Sequence, residues 1–262
     1  MRFKWNGEIK KVCIEIGLAV VLAVTLGVLG AKATDAAGTA GAQPAEETRL
    51  AEQENVEALE KTQASPGENA DETNQDDNAE EVIADGQYPI MGNSSVTVEQ
   101  MVSYFESAEV PYPAEALSKG GADSIETFCQ MYYEEATAEG VRPEVAFAQT
   151  MKETGWLQFG GDASVEQFNF AGLGTTGGGE PGNSYPDVRT GIRAQIQHLK
   201  GYATTDALNQ ECVDDRYEYV LLGCAPYVEW LGQNENPDGT GWATAERYGY
   251  SIVEMIRNMK TM

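Results

Sequence analysis

The chain has 262 residues, of which 42 are Asp or Glu and 17 are Lys or Arg, so its formal net charge is −25. An acidic chain without a basic stripe repels phosphate backbones, which argues against nucleic acid as a partner. The single histidine, His198, cannot build a His-rich metal site, and it leaves little material for a Ser-His or Cys-His nucleophile. We therefore expect chemistry based on carboxylates, without a metal or other cofactor.

The charge is unevenly distributed and divides the chain into three regions. Residues 1–33 carry a net charge of +3, residues 34–90 carry −13 and residues 91–262 carry −15. The middle region has too few apolar residues to offset its ordering entropy, so it is predicted to be a disordered linker. Within it, only residues 47–61 have a spacing that suits a short helix. The last region has the size of one folded domain.

The N-terminal region has the pattern of an export segment. Basic residues precede an uncharged apolar run over 16–31, which keeps the N-terminus inside the cell and exports the rest of the chain. Ala31-Lys32-Ala33 is a signal-peptide cleavage pattern. The run also extends back through Cys13 as an uncleaved anchor, so both modes stay open. In either case we expect the domain in the cell envelope, anchored to the membrane or secreted.

Helix-start signals divide residues 91–262 into several helical segments. A Ser, Thr or Asp cap marks a helix N-terminus, and proline is accepted in the first turn. Apolar residues at helical spacing come after each of these signals. The predicted starts are Thr97, Ser124, Pro143, and either Asp187 or Thr190, and shorter helices are expected over 217–222 and 243–259.

A glycine-rich region separates two of these helices. Nine glycines fall between residues 155 and 182, so no long periodic segment fits there, and we expect loops with a short hairpin. The glycines lack the Gly-Lys-Ser/Thr of a phosphate loop. The predicted fold is mainly α, with a small glycine-rich loop or β lobe. Three cysteines, Cys129, Cys212 and Cys224, form no regular framework. A Cys212–Cys224 pair outside the membrane stays open, although free cysteines are preferred.

Glu153 is the strongest candidate for a catalytic group. Gly155 is a natural helix stop, so Glu153 lies in the last helical turn, where the helix dipole disfavours an anion. Trp156 and Phe159 lie close behind it in sequence and add an apolar environment. Both effects favour the protonated carboxyl, as a general acid near neutral pH requires. The alternative is an ordinary exposed glutamate.

Four elements of the chain resemble the bacterial glucosaminidase family, glycoside hydrolase family 73. They occur in the family's order and cover about residues 125–258. The resemblance implies a lysozyme-like helical fold, with Glu153 as the acid, and cleavage of the GlcNAc-β-1,4-MurNAc bond of peptidoglycan without metal. The elements are the glutamate motif over 141–156, the Asn-x-Phe-Gly-like loop over 169–174, the helix over 187–202, and a closing element with Trp242-Ala-Thr and Tyr248-Gly.

The chain departs from the family pattern in two respects. Trp242 stands where the family usually carries Tyr, and no motif fixes the second carboxylate that glycosidases normally pair with the acid. Asp187 is the preferred candidate, although it equally suits a helix N-cap. Assistance by the substrate's acetamido group, without a second carboxylate, also stays open. The other candidates are Asp162, Glu166 and Glu180.

Several polar and aromatic residues are candidates for substrate binding. Asn169 suits an acetamide contact or a turn, and two or three aromatic residues are expected to stack on sugar rings. His198 is expected to be packed and hydrogen-bonded rather than catalytic. The candidate substrate-binding residues are Gln149, Trp156, Asn169, Phe170, Tyr185, Tyr202, Trp242 and Tyr248.

These observations leave three functional hypotheses. The first is a monomeric endo-glucosaminidase acting on peptidoglycan glycan strands. The second is a lytic transglycosylase of the same fold, which leaves an anhydro-muramyl end. The third is a non-catalytic wall-binding module. A zinc amidase is disfavoured, since one histidine cannot supply its usual ligands.

Overall fold

A computed structural model of the protein describes residues 83–161, 163–175 and 179–262. The predicted export segment, most of the linker and the short helix over 47–61 lie outside the described residues. Within the described ranges, no helix has both the length and the apolar character needed to cross a membrane.

The described residues are mainly helical, as predicted. Single-turn 3₁₀ segments connect the longer helices, at Ser118–Gly120, Val165–Gln167, Tyr217–Tyr219 and Val228–Leu231. The α-helices in this part of the chain are α1 (Val98–Glu106), α2 (Ala114–Leu117), α3 (Ile125–Glu139), α4 (Pro143–Glu153), α5 (Val188–Ala203) and α6 (Tyr248–Met259).

The helix starts agree with the predicted caps. Thr97 and Gln100 form a reciprocal capping box at α1, and Ser124 accepts the Thr127 N–H at α3. At α5 the cap is Asp187 rather than Thr190, because the Asp187 carboxylate accepts the Thr190 N–H at 2.7 Å. These caps satisfy backbone donors that have no partner inside the helix.

Two predicted segments are shorter than expected. Only one 3₁₀ turn forms at Tyr217–Tyr219, because Val220 is already extended with ψ of 129°. The last helix begins at Tyr248, five residues later than predicted, because Arg247 adopts a left-handed conformation with φ of 56°. Ahead of it, Ala243 forms an isolated bridge with Gly232.

The described residues of the glycine-rich region form no strand, although Glu180 takes part in an isolated bridge. Polar side chains hold this loop through its backbone. Gln167 donates to the carbonyl oxygen of Pro181 at 3.0 Å, and Asn169 donates to that of Leu173 at 2.9 Å. Backbone hydrogen bonds add to this: the N–H groups of Asn183 and Tyr185 donate to the carbonyl oxygens of Leu173 and Gln167, both at 2.9 Å.

Helix α4 lies at the centre of the core and contacts α3, α5 and α6. All of its residues from 143 to 151 are buried. A helix surrounded by others must satisfy its polar side chains internally. At its N-terminus, Glu144 accepts hydrogen bonds from the Tyr88 hydroxyl at 2.9 Å and from the Ser95 hydroxyl at 2.7 Å. The positive end of the helix dipole favours this carboxylate.

The packed region includes residues just before 91. Tyr88 and Ile90 are buried in the core, and the Tyr88 N–H donates to the buried carboxyl of Glu229 at 2.9 Å. The Tyr88 hydroxyl reaches Glu144, so this segment connects the start of α4 to the 3₁₀ turn at Val228–Leu231. It therefore belongs structurally to the helical domain.

A buried ion pair fastens the segment after α5 to α3. Lys200 of α5 lies 2.9 Å from the carboxylate of Glu139. The backbone N–H groups of Asn209 and Gln210 donate to the same carboxylate at 2.8 and 3.0 Å. Burial raises the pKa of Glu139, but these donors outweigh it, so that the pKa lies below its ordinary value. The segment after α5 is thereby fixed on the helical core.

Candidate active site

Glu153 is the last residue of α4, as predicted, and its side chain is half-buried. Burial raises the pKa of the Glu153 carboxyl above its usual value of 4.5. A hydrogen bond from Tyr248 and the positive charge of Lys152 oppose this effect but do not cancel it. The net direction is the one that a general acid near neutral pH requires.

The backbone after Glu153 turns sharply through left-handed conformations. Gly155, Trp156 and Leu157 have φ values of 58°, 60° and 60°. For residues other than glycine, such conformations cost about 1–3 kcal/mol each, and they persist only where the surrounding structure fixes them. The Trp156 N–H returns to the Met151 carbonyl at 2.8 Å, which closes this turn against α4. The end of α4 is thus held in one arrangement.

Tyr248, the first residue of α6, is the hydrogen-bond partner of Glu153. Its hydroxyl donates to Oε1 of Glu153 and accepts from Nε2 of Gln149 at 3.2 Å. Burial and the neighbouring carboxylate raise the pKa of Tyr248 far above its ordinary value, so the hydroxyl keeps its hydrogen. Lys152 lies 5.3 Å from the centre of the Tyr248 ring, within cation–π range.

Three half-buried aromatic side chains from α5 and from the segment that precedes α6 form one group. His198 and Tyr202 come from α5, and Trp242 comes from the segment before α6. The Trp242 ring centre lies 5.1 Å from that of His198 and 5.6 Å from that of Tyr202. The charge of a Tyr202 phenolate would add a small rise to the pKa of Tyr248. This group can offer ring faces to a sugar.

His198 is packed and hydrogen-bonded, as expected. Its Nδ1 lies 2.6 Å from a carboxylate oxygen of Asp214, which is buried. Asp214 also accepts the Arg216 N–H at 2.9 Å. No sequence signal pointed to Asp214, since no motif marks it and it lies sixteen residues from His198. The pair fixes the orientation of the His198 ring against Trp242.

Trp156 lies in the turn after Glu153 and contacts α1. Its ring centre is 5.0 Å from that of Tyr104 and 6.4 Å from that of Phe105. The side chain is half-buried, so part of its surface is accessible. This position leaves Trp156 available for contact with a glycan near Glu153.

Three other candidate binding residues are buried. Phe170 is fully buried and packs against Phe128 and Tyr132, with ring centres at 5.1 and 6.5 Å. The Asn169 amide is committed to the backbone of its own loop, through both its oxygen and its nitrogen. The Tyr185 hydroxyl is buried and makes no hydrogen bond within the described residues.

The candidates for a second carboxylate occupy different settings. Asp187 caps α5, and one of its oxygens is engaged with the Thr190 N–H. Glu166 and Glu180 are exposed, and Asp162 lies outside the described residues. In the part of the chain that the structure describes, no group of three or more His, Cys, Asp and Glu is arranged to hold a metal ion.

Sequence reasoning missed how the polar residues of α4 and α5 are connected. Gln195 of α5 donates to Oε1 of Gln149 at 2.9 Å, and Gln149 in turn donates to Tyr248. Both glutamines are completely buried. The available signal was a polar residue at a core-facing position in each helix. Such residues need internal partners, although their spacing does not identify those partners.

The chain is similar to known proteins over its helical domain. Residues 129–261 match the family model Glucosaminidase, described as mannosyl-glycoprotein endo-beta-N-acetylglucosaminidase. An uncharacterized protein of Borreliella burgdorferi (strain ATCC 35210 / DSM 4680 / CIP 102532 / B31) is 38% identical over 148 residues, which are 56% of this chain and 69% of that protein. No solved structure matches the chain significantly. The family match spans half of the chain and contains Glu153 and Tyr248, and the chain therefore belongs to the glucosaminidase family, whose domain supports a glycoside hydrolase activity on peptidoglycan.

Proposed function

We propose that the protein is a cell-wall endo-beta-N-acetylglucosaminidase that cleaves the GlcNAc-β-1,4-MurNAc bond of peptidoglycan. One observation carries this proposal: a half-buried carboxyl, Glu153, whose pKa is raised and which receives a hydrogen bond from Tyr248 at the end of the central helix. The family match supplies the class of substrate. The site supplies the acid.

In this mechanism Glu153 is the general acid. Its protonated carboxyl donates to the glycosidic oxygen as the bond to the anomeric carbon breaks, so that the leaving group departs as an alcohol. Tyr248 engages Oε1, which leaves Oε2 to carry the transferred proton. Once the proton is lost, the Tyr248 hydrogen bond stabilises the carboxylate that has formed.

The cationic character that develops at the anomeric carbon needs a nucleophile or a stabilising charge. Asp187 is proposed for this role through the oxygen that does not cap α5. The alternative is the acetamido oxygen of the substrate, which would close a ring on the anomeric carbon before water enters. Asp187→Asn separates the two routes.

The proposed glycan contacts come from aromatic residues with accessible surface. Trp156, Tyr202 and Trp242 are half-buried. Trp156 lies in the turn after Glu153, and the rings of Tyr202 and Trp242 are in contact with each other. Asn169, Phe170 and Tyr185 are proposed to shape the loop behind the site, because their side chains are buried. Gln149 acts on the site through Tyr248 rather than by touching sugar.

The proposed setting is the cell envelope, with a monomeric domain exported by the N-terminal segment and separated from it by the acidic linker. Two other functions use parts of the same site. A lytic transglycosylase would use the same acid, and a wall-binding module would use only the aromatic surface. Zymography on purified cell walls tests activity directly. Clearing by the wild-type protein, and none by Glu153→Gln, supports an enzyme, whereas no clearing by either favours the binding module.

A further inference from the structure

We propose that Gln195 is a positioning residue that acts through Gln149 to fix the direction of the hydrogen bonds reaching Glu153, so that Tyr248 always donates to the catalytic carboxyl. This inference rests on the proposed role of Glu153 as the acid. It assigns a function to a polar connection between α5 and α4 that packing alone does not require.

The backbone carbonyl of Ala146 determines the orientation of the Gln195 amide and thereby the direction of the hydrogen bonds that follow. Nε2 of Gln195 donates to the carbonyl oxygen of Ala146 at 3.0 Å and to Oε1 of Gln149 at 2.9 Å. A carbonyl oxygen can only accept, so it determines which end of the Gln195 amide faces α4. At the other end, Oε1 of Gln195 lies 2.8 Å from the hydroxyls of Tyr132 and Thr150, which can donate to it. Both ends of the amide are therefore matched in one orientation.

This orientation is passed on to the next amide and then to the hydroxyl. Because Oε1 of Gln149 accepts from Gln195, the NH₂ group of Gln149 faces Tyr248 and lies 3.2 Å from its hydroxyl oxygen. The hydroxyl has one hydrogen, which is then directed to Glu153. Gln149 and Gln195 are 0% exposed and Tyr248 is 1% exposed, so solvent does not compete for these groups.

A fixed donor on Oε1 has a chemical consequence for the acid. It stabilises the charged carboxylate and so limits the rise in pKa that burial causes. The other ionisable groups that face this pair are Lys152, which also lowers the pKa of Glu153, and Tyr202 beside Tyr248. If the Gln149 amide were reversed, its oxygen would take the Tyr248 hydrogen. Glu153 would then lose its donor, and its pKa would rise.

The test is a measurement of the Glu153 pKa by ¹³C NMR titration of labelled glutamate carboxyls in the full-length protein. The Glu153 signal is assigned as the one missing from Glu153→Gln. Gln195→Met keeps the side-chain volume and removes the anchor. A charge-assisted hydrogen bond corresponds to about one pH unit, so the pKa should rise by about that amount. The alkaline limb of the kcat/KM profile should move upward with it, and kcat should fall about tenfold.

The matched control is Gln197→Met. Gln197 is a completely buried glutamine on the same helix, but its amide has other partners. Its nitrogen donates to the Glu211 carbonyl at 2.9 Å, and its oxygen accepts from the Val213 N–H at 2.8 Å. Both variants should lose stability to a similar extent, since each leaves buried polar groups unsatisfied. Only Gln195→Met should move the pKa of Glu153. Equal movement in both variants, or none in Gln195→Met, would overturn the proposal.

A double variant adds a second criterion. In a Tyr248→Phe background the connection is already broken, so Gln195→Met should produce no further change in the Glu153 pKa. If Gln195→Met does not fold, Gln195→Leu removes the same amide and should give the same rise in the Glu153 pKa. Gln149→Met has no oxygen that could take the Tyr248 hydrogen, so it should give no such rise. A rise in Gln149→Met, or none in Gln195→Leu, contradicts the proposal. These titrations need no substrate. A wild-type protein that releases no glycan fragments would refute the proposed function and leave the hydrogen-bond direction testable.

Discussion

The hydroxyl of Tyr248 donates a hydrogen bond to Oε1 of Glu153 and joins the first residue of α6 to the last residue of α4. The two residues are 95 positions apart in sequence. At this position, burial and the negative end of the helix dipole disfavour the carboxylate, whereas the tyrosine favours it. Burial is the larger effect, so the pKa of Glu153 is raised. Changing either residue should therefore shift both the protonation of the acid and the rate of hydrolysis.

Glu153→Gln is expected to lower turnover about 10²- to 10⁴-fold, which is the usual contribution of a general acid. The amide keeps the size of the side chain and still accepts from Tyr248, but it has no proton of suitable acidity to transfer. Glu218→Gln, at an exposed glutamate of the Tyr217–Tyr219 turn, is the control and should leave turnover unchanged. Near wild-type hydrolysis by Glu153→Gln would refute the mechanism.

The same variant should be more stable than the wild type, in a pH-dependent way. The pKa of Glu153 in the folded protein lies above the ordinary 4.5, so the unfolded chain releases this proton first as pH rises. The wild type therefore loses stability above pH 4.5 until the folded pKa is passed. Thermal unfolding should show a higher Tm for Glu153→Gln at neutral pH and no advantage below about pH 4.5. An advantage only at acid pH would contradict the raised pKa.

Tyr248→Phe is expected to raise the pKa of Glu153 further, because it removes the hydroxyl that donates to the carboxylate. The alkaline limb of the kcat/KM profile should move to higher pH, and kcat should fall about 10- to 100-fold, as for loss of a hydrogen bond to a charged group. Tyr250→Phe, on the same helix, is the control. A limb that moves to lower pH would show that the tyrosine does not act as a donor to the acid.

Two substitutions of Asp187 separate its role as the N-cap of α5 from its proposed role as a charged catalytic carboxylate. Asparagine caps helices about as well as aspartate, so Asp187→Asn should unfold like the wild type, whereas Asp187→Ala should lose about 1 kcal/mol. If Asp187 is the second carboxylate, Asp187→Asn should lower turnover at least about 10²-fold. A small effect in the asparagine variant would leave Asp187 as a cap and favour assistance by the acetamido group.

The buried pair of Glu139 and Lys200 is expected to contribute strongly to stability. Lys200→Met leaves a buried carboxylate without its partner, which typically costs about 3–5 kcal/mol in urea unfolding at neutral pH. The pKa of Glu139 is lowered, so its contribution is complete above pH 4.5 and is lost as the pH falls further. Arg257→Ala is the control, because Arg257 and Asp85 are mostly exposed and 3.6 Å apart. Equal losses from both substitutions would show that burial adds nothing to the Glu139–Lys200 pair.

Local signals predicted much of the helical fold. The caps at Thr97, Ser124 and Asp187 and the glycine stop after Glu153 depend on residues within a few positions of each other, and the structure places helix ends there. Turn-forming glycines show where a chain bends but not whether two segments pair as strands, and the described residues of the glycine-rich region form no strand. How these segments pair depends on hydrogen bonds such as those of Gln167 and Asn183.

The site could be predicted only in part. Glu153 was identifiable because its helix end and apolar neighbours are local in sequence. Its link to Tyr248 was not, since three-dimensional packing alone brings α4 and α6 together. Aromatic spacing likewise failed to separate Phe170, which packs in the core, from Trp242, which keeps accessible surface. Burial is a property of the whole fold rather than of the local sequence.

Glu153 is proposed to drive hydrolysis of the bond between GlcNAc and MurNAc. The decisive measurement is mass spectrometry of the muropeptides that the wild-type protein and Glu153→Gln release from purified peptidoglycan. The wild type should release fragments that have gained one water and end in reducing GlcNAc, and Glu153→Gln should release almost none. Fragments that end in anhydro-MurNAc without added water, or equal release by the two proteins, would contradict the claim.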